Sequence, residues 1–251
     1  CIRDSLNLVL VVIDTLAARH TGGFNGNIKH TPNIERLAKE GVRFVRSYAT
    51  APWTKPAIAS IVTGKMPSNH GMTAYGSRLE GGATLAELLK ARGFRTAGVV
   101  SHLYLIKKTG FARGFDNYKE FVSPRKMHHL ITSHKVSDAA IEWLRKNGSD
   151  PKAPFFLFLH YFDPHYYYMH HPEFDMTPEY RGRLKPGMNI RDLWKMIPTL
   201  KPLDLAYLKA LFFGEGAYTD FHLGRVLDYL KEAKLPRRTL VILVADHGEE
   251  F

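Results

Sequence analysis

Five apolar runs, at residues 6–13, 42–48, 94–101, 154–161 and 239–245, alternate along the chain with segments of helical period, and this alternation limits the fold more tightly than any other feature. Residues 6–13 read Leu-Asn-Leu-Val-Leu-Val-Val-Ile and residues 154–161 read Pro-Phe-Phe-Leu-Phe-Leu-His-Tyr. Runs so nearly continuous leave no polar face for water, so they predict strands buried on both sides of a parallel sheet. Parallel strands need crossover helices between them. One helix is predicted over residues 32–40, with Thr31 as cap, Pro32 at the first position and Gly41 as stop. Others are predicted over residues 84–92, over 137–146 with Ser137 as cap, and over 204–213 and 217–233, the last two broken by Gly214 and Gly216. Residues 110–121 predict an ordered loop. The expected class is α/β, a mainly parallel central sheet with helices on both faces, formed by residues 1–251 as one domain. Residues 166–201, with four prolines, clustered Tyr and His and little period, predict a lid or an insertion.

The strand ends carry the candidate chemistry. Asp14 follows the first run, Asp163-Pro164-His165 follows the fourth, and Asp246-His247-Gly248 follows the fifth. Parallel strands deliver all of these to the carboxyl edge of the sheet, where open α/β sheets bind their ligands. Carboxylates with imidazole suit a divalent cation of the zinc or manganese type, and an all-oxygen set suits calcium or magnesium. An Asp at a strand end also commonly caps the next helix, and a lone His is commonly packed or solvated. Asp246-His247 is the sharper signal, because two ligand types in tandem have little structural reason to occur together.

Residues 51–64, Ala-Pro-Trp-Thr-Lys-Pro-Ala-Ile-Ala-Ser-Ile-Val-Thr-Gly, predict a turn feeding a short helix, with Thr54 where the helix begins, Lys55 and Pro56 in its first positions and Gly64 as its stop. A helix N-terminus seats a phosphate or sulfate group, and an alcohol held there can attack it. The plainer reading of Thr54 is an N-cap. A cation beside Thr54 would lower its pKa and neutralise charge in the transition state.

Composition narrows the partners. A formal charge of +11 points to an anionic small-molecule ester, a polyanion or an acidic membrane surface, while the absence of a long Lys/Arg run leaves a generally basic surface equally open and supplies no nucleic-acid motif. The single Cys1 excludes an internal disulfide and a Cys-based zinc cluster. No run reaches the ~18 apolar residues of a membrane helix. Because the sequence opens on Cys rather than Met, residues upstream of it are expected in the precursor.

These residues resemble the sulfatase-like branch of the alkaline phosphatase superfamily. The resemblance rests on Val-Val-Ile-Asp-Thr-Leu (11–16), Thr-Pro-Asn-Ile with Leu-Ala and Gly-Val-Arg-Phe (31–44), Pro-Trp-Thr-Lys-Pro through Ser-Ile-Val-Thr-Gly to Pro67 and His70-Gly71, and Ala-Asp-His-Gly-Glu-Glu (245–250). Asp163-Pro164-His165, Gly114-Phe115-Asp116 and Tyr218 with Asp220 add to it. It implies a metal-dependent hydrolase or transferase in which Thr54 is the nucleophile, Asp14, Thr54, Asp246 and His247 hold a divalent ion (Zn, Mn, Ca or Mg), and His165, Lys55 and Asp163 contact the substrate. Two departures matter. The family's Cys or Ser, modified to formylglycine within Cys-x-Pro-x-Arg, is here Thr54, with Pro56 and Ile58 in place of the rest. Thr cannot be so modified, so the expectation is a phosphate-ester hydrolase or phosphotransferase acting on an anionic or envelope-derived ester. A sulfuric ester hydrolase and a non-catalytic polyanion binder are the alternatives. Relatives also continue past Asp-His-Gly into a C-terminal subdomain, so the chain is expected to be a fragment lacking it, and the resemblance implies an extracytoplasmic location.

Overall fold

The computed structural model describes residues 6–122, 131–148, 154–235 and 239–251, and Cys1 lies outside them. Five strands, β1 (Asn7–Ile13), β2 (Arg95–Val100), β3 (Asn117–Glu120), β4 (Phe155–Tyr161) and β5 (Thr239–Ala245), form one sheet in the order β3-β2-β4-β1-β5. Every pairing is parallel. The register sets Ile13 opposite both Tyr161 and Ala245, so Asp14, Phe162 and Asp246 leave the sheet at one level.

Period-2 alternation sorts the core into two layers. Val9, Val11 and Ile13 of β1, with Phe155, Leu157, Leu159 and Tyr161 of β4, pack toward α5 (Ser133–Asn147) and α7 (Pro202–Glu232). Leu10 and Val12, with Phe156 and Phe158, pack instead toward Ile58, Ala59 and Val62 of α2 (Thr54–Thr63), which the short α3 (Pro67–His70) follows, and Ala86 of α4 (Leu85–Lys90). The helices therefore cover both faces. Each such buried side chain contributes about 1.5–3 kcal/mol relative to exposure.

Several local expectations are corrected. Residues 42–48 form no strand: Val42, Phe44, Val45 and Tyr48 are all more than 70% exposed, and no described strand lies alongside to pair with them. Apolar alternation without a neighbouring ladder does not hold a strand. Within the loop expected at 110–121, Asn117–Glu120 form β3.

The two helices expected to break at Gly214 and Gly216 are one 31-residue helix, α7. Gly214 is there for proximity: a Cβ on it would lie 3.0 Å from the Phe174 carbonyl oxygen, where residues 166–201 cross the helix. That segment contains α6 (Ile190–Met196) and is fastened to α7, the Met169 amide donating to Glu215 (2.8 Å) and Tyr180 stacking on Tyr207 at 4.1 Å.

The expected caps also move. Ser137 lies inside α5, its buried hydroxyl donating to the His222 carbonyl (2.8 Å) beside the Tyr161 hydroxyl. Thr31 precedes α1 (Pro32–Glu40) as predicted, but its hydroxyl accepts from the Gly22 amide. The orphan amides of Asn33 and Ile34 instead donate to Asp220 of α7, at 3.0 and 2.8 Å. A carboxylate from a distant helix thus does the capping. Gly224, one turn on, makes room for it, because a Cβ there would lie 2.5 Å from the Asn33 side chain that donates to Asp220.

Candidate active site at the carboxyl rim

Asp14 leaves β1, Asp246 and His247 leave β5, and Thr54 opens α2 beneath them. The helix starts one residue earlier than the sequence suggests, with Trp53 at the N-cap and Thr54 as the first helical residue. Its hydroxyl makes no capping bond. It lies 3.3 Å from His247 Nε2. His247 Nε2 in turn lies 3.4 Å from Asp14 and 3.6 Å from Asp246. The backbone amides of Thr15 and His247 hold one Asp246 oxygen, at 3.3 and 2.9 Å.

The other Asp246 oxygen and both Asp14 oxygens are buried with no hydrogen-bond donor. Burial raises the pKa of both carboxyls, and the neighbouring Asp246 and Glu249 charges raise that of Asp14 further. Orphaned buried carboxylate oxygens are costly unless something cationic lies among them. The His247 tautomer makes the same demand. Its Nδ1 faces the Gly248 carbonyl at 2.9 Å and must carry the proton, which leaves the Nε2 lone pair directed toward two carboxylates and the Thr54 oxygen. Two carboxylates, an imidazole lone pair and a hydroxyl converging in this way fit a divalent cation.

Two other imidazoles have the opposite polarity. His102, two residues beyond β2, accepts the Tyr104 amide at Nδ1 (3.0 Å), so its Nε2 carries the proton, 3.8 Å from Asp14. His165 accepts the Tyr166 amide at Nδ1 (2.9 Å) and likewise presents an Nε2–H. Asp14, His102 and His165 also cluster closely enough to hold a cation, but in these tautomers the two histidines offer N–H donors, which suit an anion's oxygens. The rim therefore has a cation-accepting side and an anion-accepting side.

His102, His160 and Glu249 are site residues that the sequence reading missed. His160 Nε2 lies 3.6 Å from Asp14 within β4, and Glu249 lies 3.5 Å from His165. The strand-end rule that found Asp14 reaches His102, directly after Ser101. Nothing in an apolar run marks His160.

Two predicted substrate contacts are placed elsewhere. Asp163 turns away from the rim and caps α5, accepting from the Thr132 amide (3.0 Å), the Ser133 amide (2.8 Å) and the Ser133 hydroxyl (2.7 Å). Lys55 is buried, not solvated, and its ammonium donates to the carbonyls of Tyr75 and Ser77.

The family model described as Sulfatase matches residues 6–251. The chain belongs to the sulfatase family. It is 29% identical to a sulfatase of Formosa agariphila over 98% of this chain and 59% of that protein, so it spans about three-fifths of that relative's length. Among solved structures it resembles the phosphonate monoester hydrolase of Agrobacterium radiobacter (TM-score 0.75, 20% identity, 97% of this chain and 63% of that one). It also resembles BT4656, solved with its substrate D-glucosamine-2-N,6-O-disulfate (TM-score 0.74, 20% identity, 97% and 66%). At these identities the structures show a shared fold.

Proposed function

We propose that this chain carries the catalytic rim of a metal-dependent hydrolase of sulfuric esters. The observation that supports it is the Thr54 hydroxyl, free of capping duty and 3.3 Å from His247 Nε2, beside the orphaned oxygens of Asp14 and Asp246. A divalent ion held by Asp14, Asp246, His247 and the Thr54 oxygen would acidify that hydroxyl and neutralise charge developing on the ester. The Nε2–H groups of His102 and His165 bind the ester's anionic oxygens and are placed to protonate the departing alcohol. Thr54, its proton lost to solvent, attacks sulfur, and the bond to the alcohol oxygen breaks as the alcohol takes a proton from one of these histidines. Water then attacks the sulfur of the threonine sulfate, releasing sulfate and restoring the Thr54 hydroxyl. Residues 166–201, which begin beside His165, act as a lid over the rim, and the substrate is an anionic ester met outside the cytoplasm. No helix among the described residues is long and apolar enough to cross a membrane.

A second reading, phosphoric esters, is favoured by Thr54 itself. A threonine phosphate is readily resolved by water, whereas a threonine sulfate has no neighbouring group to expel it. The test assays 4-nitrophenyl sulfate, 4-nitrophenyl phosphate and bis(4-nitrophenyl) phosphate side by side with added Mn, Zn or Ca. Turnover of the sulfate that is lost in Thr54→Ala supports the first reading, and preference for either phosphorus ester supports the second. Metal-dependent turnover unchanged in Thr54→Ala removes threonine from the chemistry.

A further inference from the structure

Lys55 stands directly after the proposed nucleophile, yet its charge is spent on protein. Its Nζ donates to the Tyr75 and Ser77 carbonyls, at 2.5 and 2.8 Å, and lies 5.4 Å from the Tyr104 ring. The loop it grips is already a tight turn, with Ser77 donating its amide to Ala74 and the Ala74 amide donating back to the Ser77 hydroxyl. The first turn of α2 and the loop bearing Tyr75 are therefore clamped together by one buried cation.

The clamp organises three aromatic rings. Trp53, the residue before Thr54, stacks on Tyr75 (6.1 Å, 17°), and Tyr104 meets both edge-on, at 5.8 and 5.2 Å. Tyr104 is itself held between Lys55 and the His102 ring, 4.6 Å away. Tyr104 is thus a post joining the cluster to the histidine that faces Asp14. Tyr75 differs: it is 76% exposed although its backbone carbonyl and its contacts with the Trp53 and Tyr104 rings are fixed. An immobilised aromatic ring left open to solvent is a preorganised binding surface.

We propose that Trp53 and Tyr75 form a wall on which the ring of the ester's alcohol half stacks, and that Lys55, through Tyr104 and the Tyr75 loop, is the positioning residue that holds this wall beside Thr54. The assignment rests on the ester-hydrolase reading. The ligand chemistry is a six-membered ring with a flat apolar face, either an aryl group or a pyranose. Stacking on one such aromatic corresponds to about a three- to tenfold change in affinity.

The experiment has a binding arm and a kinetic arm. Saturation-transfer NMR on the wild-type chain uses p-cresol and methyl β-D-glucopyranoside as ring probes and 2-propanol as the open-chain control. Ring signals are expected in the wild type and in Thr54→Ala, and are expected to disappear in Tyr75→Ala, an exposed position where folding is not at risk. Whichever probe binds identifies the ring class. In the kinetic arm, the ratio of KM for 4-nitrophenyl sulfate to KM for ethyl sulfate rises about three- to tenfold in Tyr75→Ala, returns in Tyr75→Phe, and rises in Lys55→Met. Silent ring probes together with an unmoved KM ratio would overturn the wall while leaving ester hydrolysis standing. Ring binding without turnover of any ester removes the hydrolase reading, and with it the assignment of the ring to an alcohol half.

Discussion

Neutralising Asp246 should make the metal-free protein more stable and the metal-loaded protein less so. The ligand atoms of Asp14, Asp246 and His247 all lie within 4.8 Å of one another. Two full carboxylate charges at that spacing repel by about 3 kcal/mol at an effective dielectric of ~20. Without a cation the pair relieves part of this by retaining a proton, as the raised pKa values of both groups indicate. The gain expected for Asp246→Asn in the chelated protein is therefore smaller, about 1 kcal/mol, or roughly 2–4 °C in Tm for a domain of this size. A cation at about 100 times its Kd adds about 2.7 kcal/mol to the wild type, roughly 5–10 °C. Most of that increment should vanish in the variant. The assay is a thermal melt of both proteins in EDTA and in Mn, Zn or Ca. An Asp246→Asn protein that melts below wild type in EDTA, yet gains as much from metal, would refute a cation site built on these carboxylates.

Three further outcomes follow from other parts of the fold. Asp163→Ala should cost about 3 kcal/mol in urea unfolding, since it strips the start of α5 of a buried cap and leaves the Thr132 and Ser133 amides without an acceptor. A loss below about 0.5 kcal/mol would exclude the capping role. His171, whose pKa burial lowers to about 4, must take up a proton on unfolding anywhere between that value and its ordinary 6.5. Its contribution to stability is complete above pH 6.5 and falls away toward pH 4, so His171→Gln should flatten the pH dependence of urea midpoints across that window. Gly224→Ala should destabilise by about 1–3 kcal/mol through collision with Asn33, measured by calorimetry, whereas Gly216→Ala, whose added methyl meets Leu16 at an ordinary 3.6 Å, should not.

The sheet was legible because its strands are buried on both faces and so cannot hide their composition. Asp14, Asp246 and His247 were legible for a related reason, since parallel strands send their ends to one edge however far apart they lie in sequence. What failed depended on partners that sequence does not display. Residues 42–48 have the apolar content of a strand and no ladder to join. Gly214 looks like a helix breaker until the Phe174 carbonyl beside it is known, and Ser137 looks like a cap until Tyr161 and His222 are seen around it. Lys55 and Asp163 were expected to contact the substrate, but their charges are directed at backbone groups of this chain. His102 and His247 differ in which ring nitrogen holds the proton, a distinction set by the local backbone and invisible in composition.

The central position of β1, between β4 and β5, bears on how the molecule is made. β1 has its two neighbours more than 140 and 230 positions later, and α1 waits more than 180 positions for Asp220. Closing such distant pairs is slow. The hydroxyl of Thr54 and the carboxylate of Asp14 must therefore leave the ribosome long before Asp246 and His247, and the rim that unites them can close only after β5 has been made.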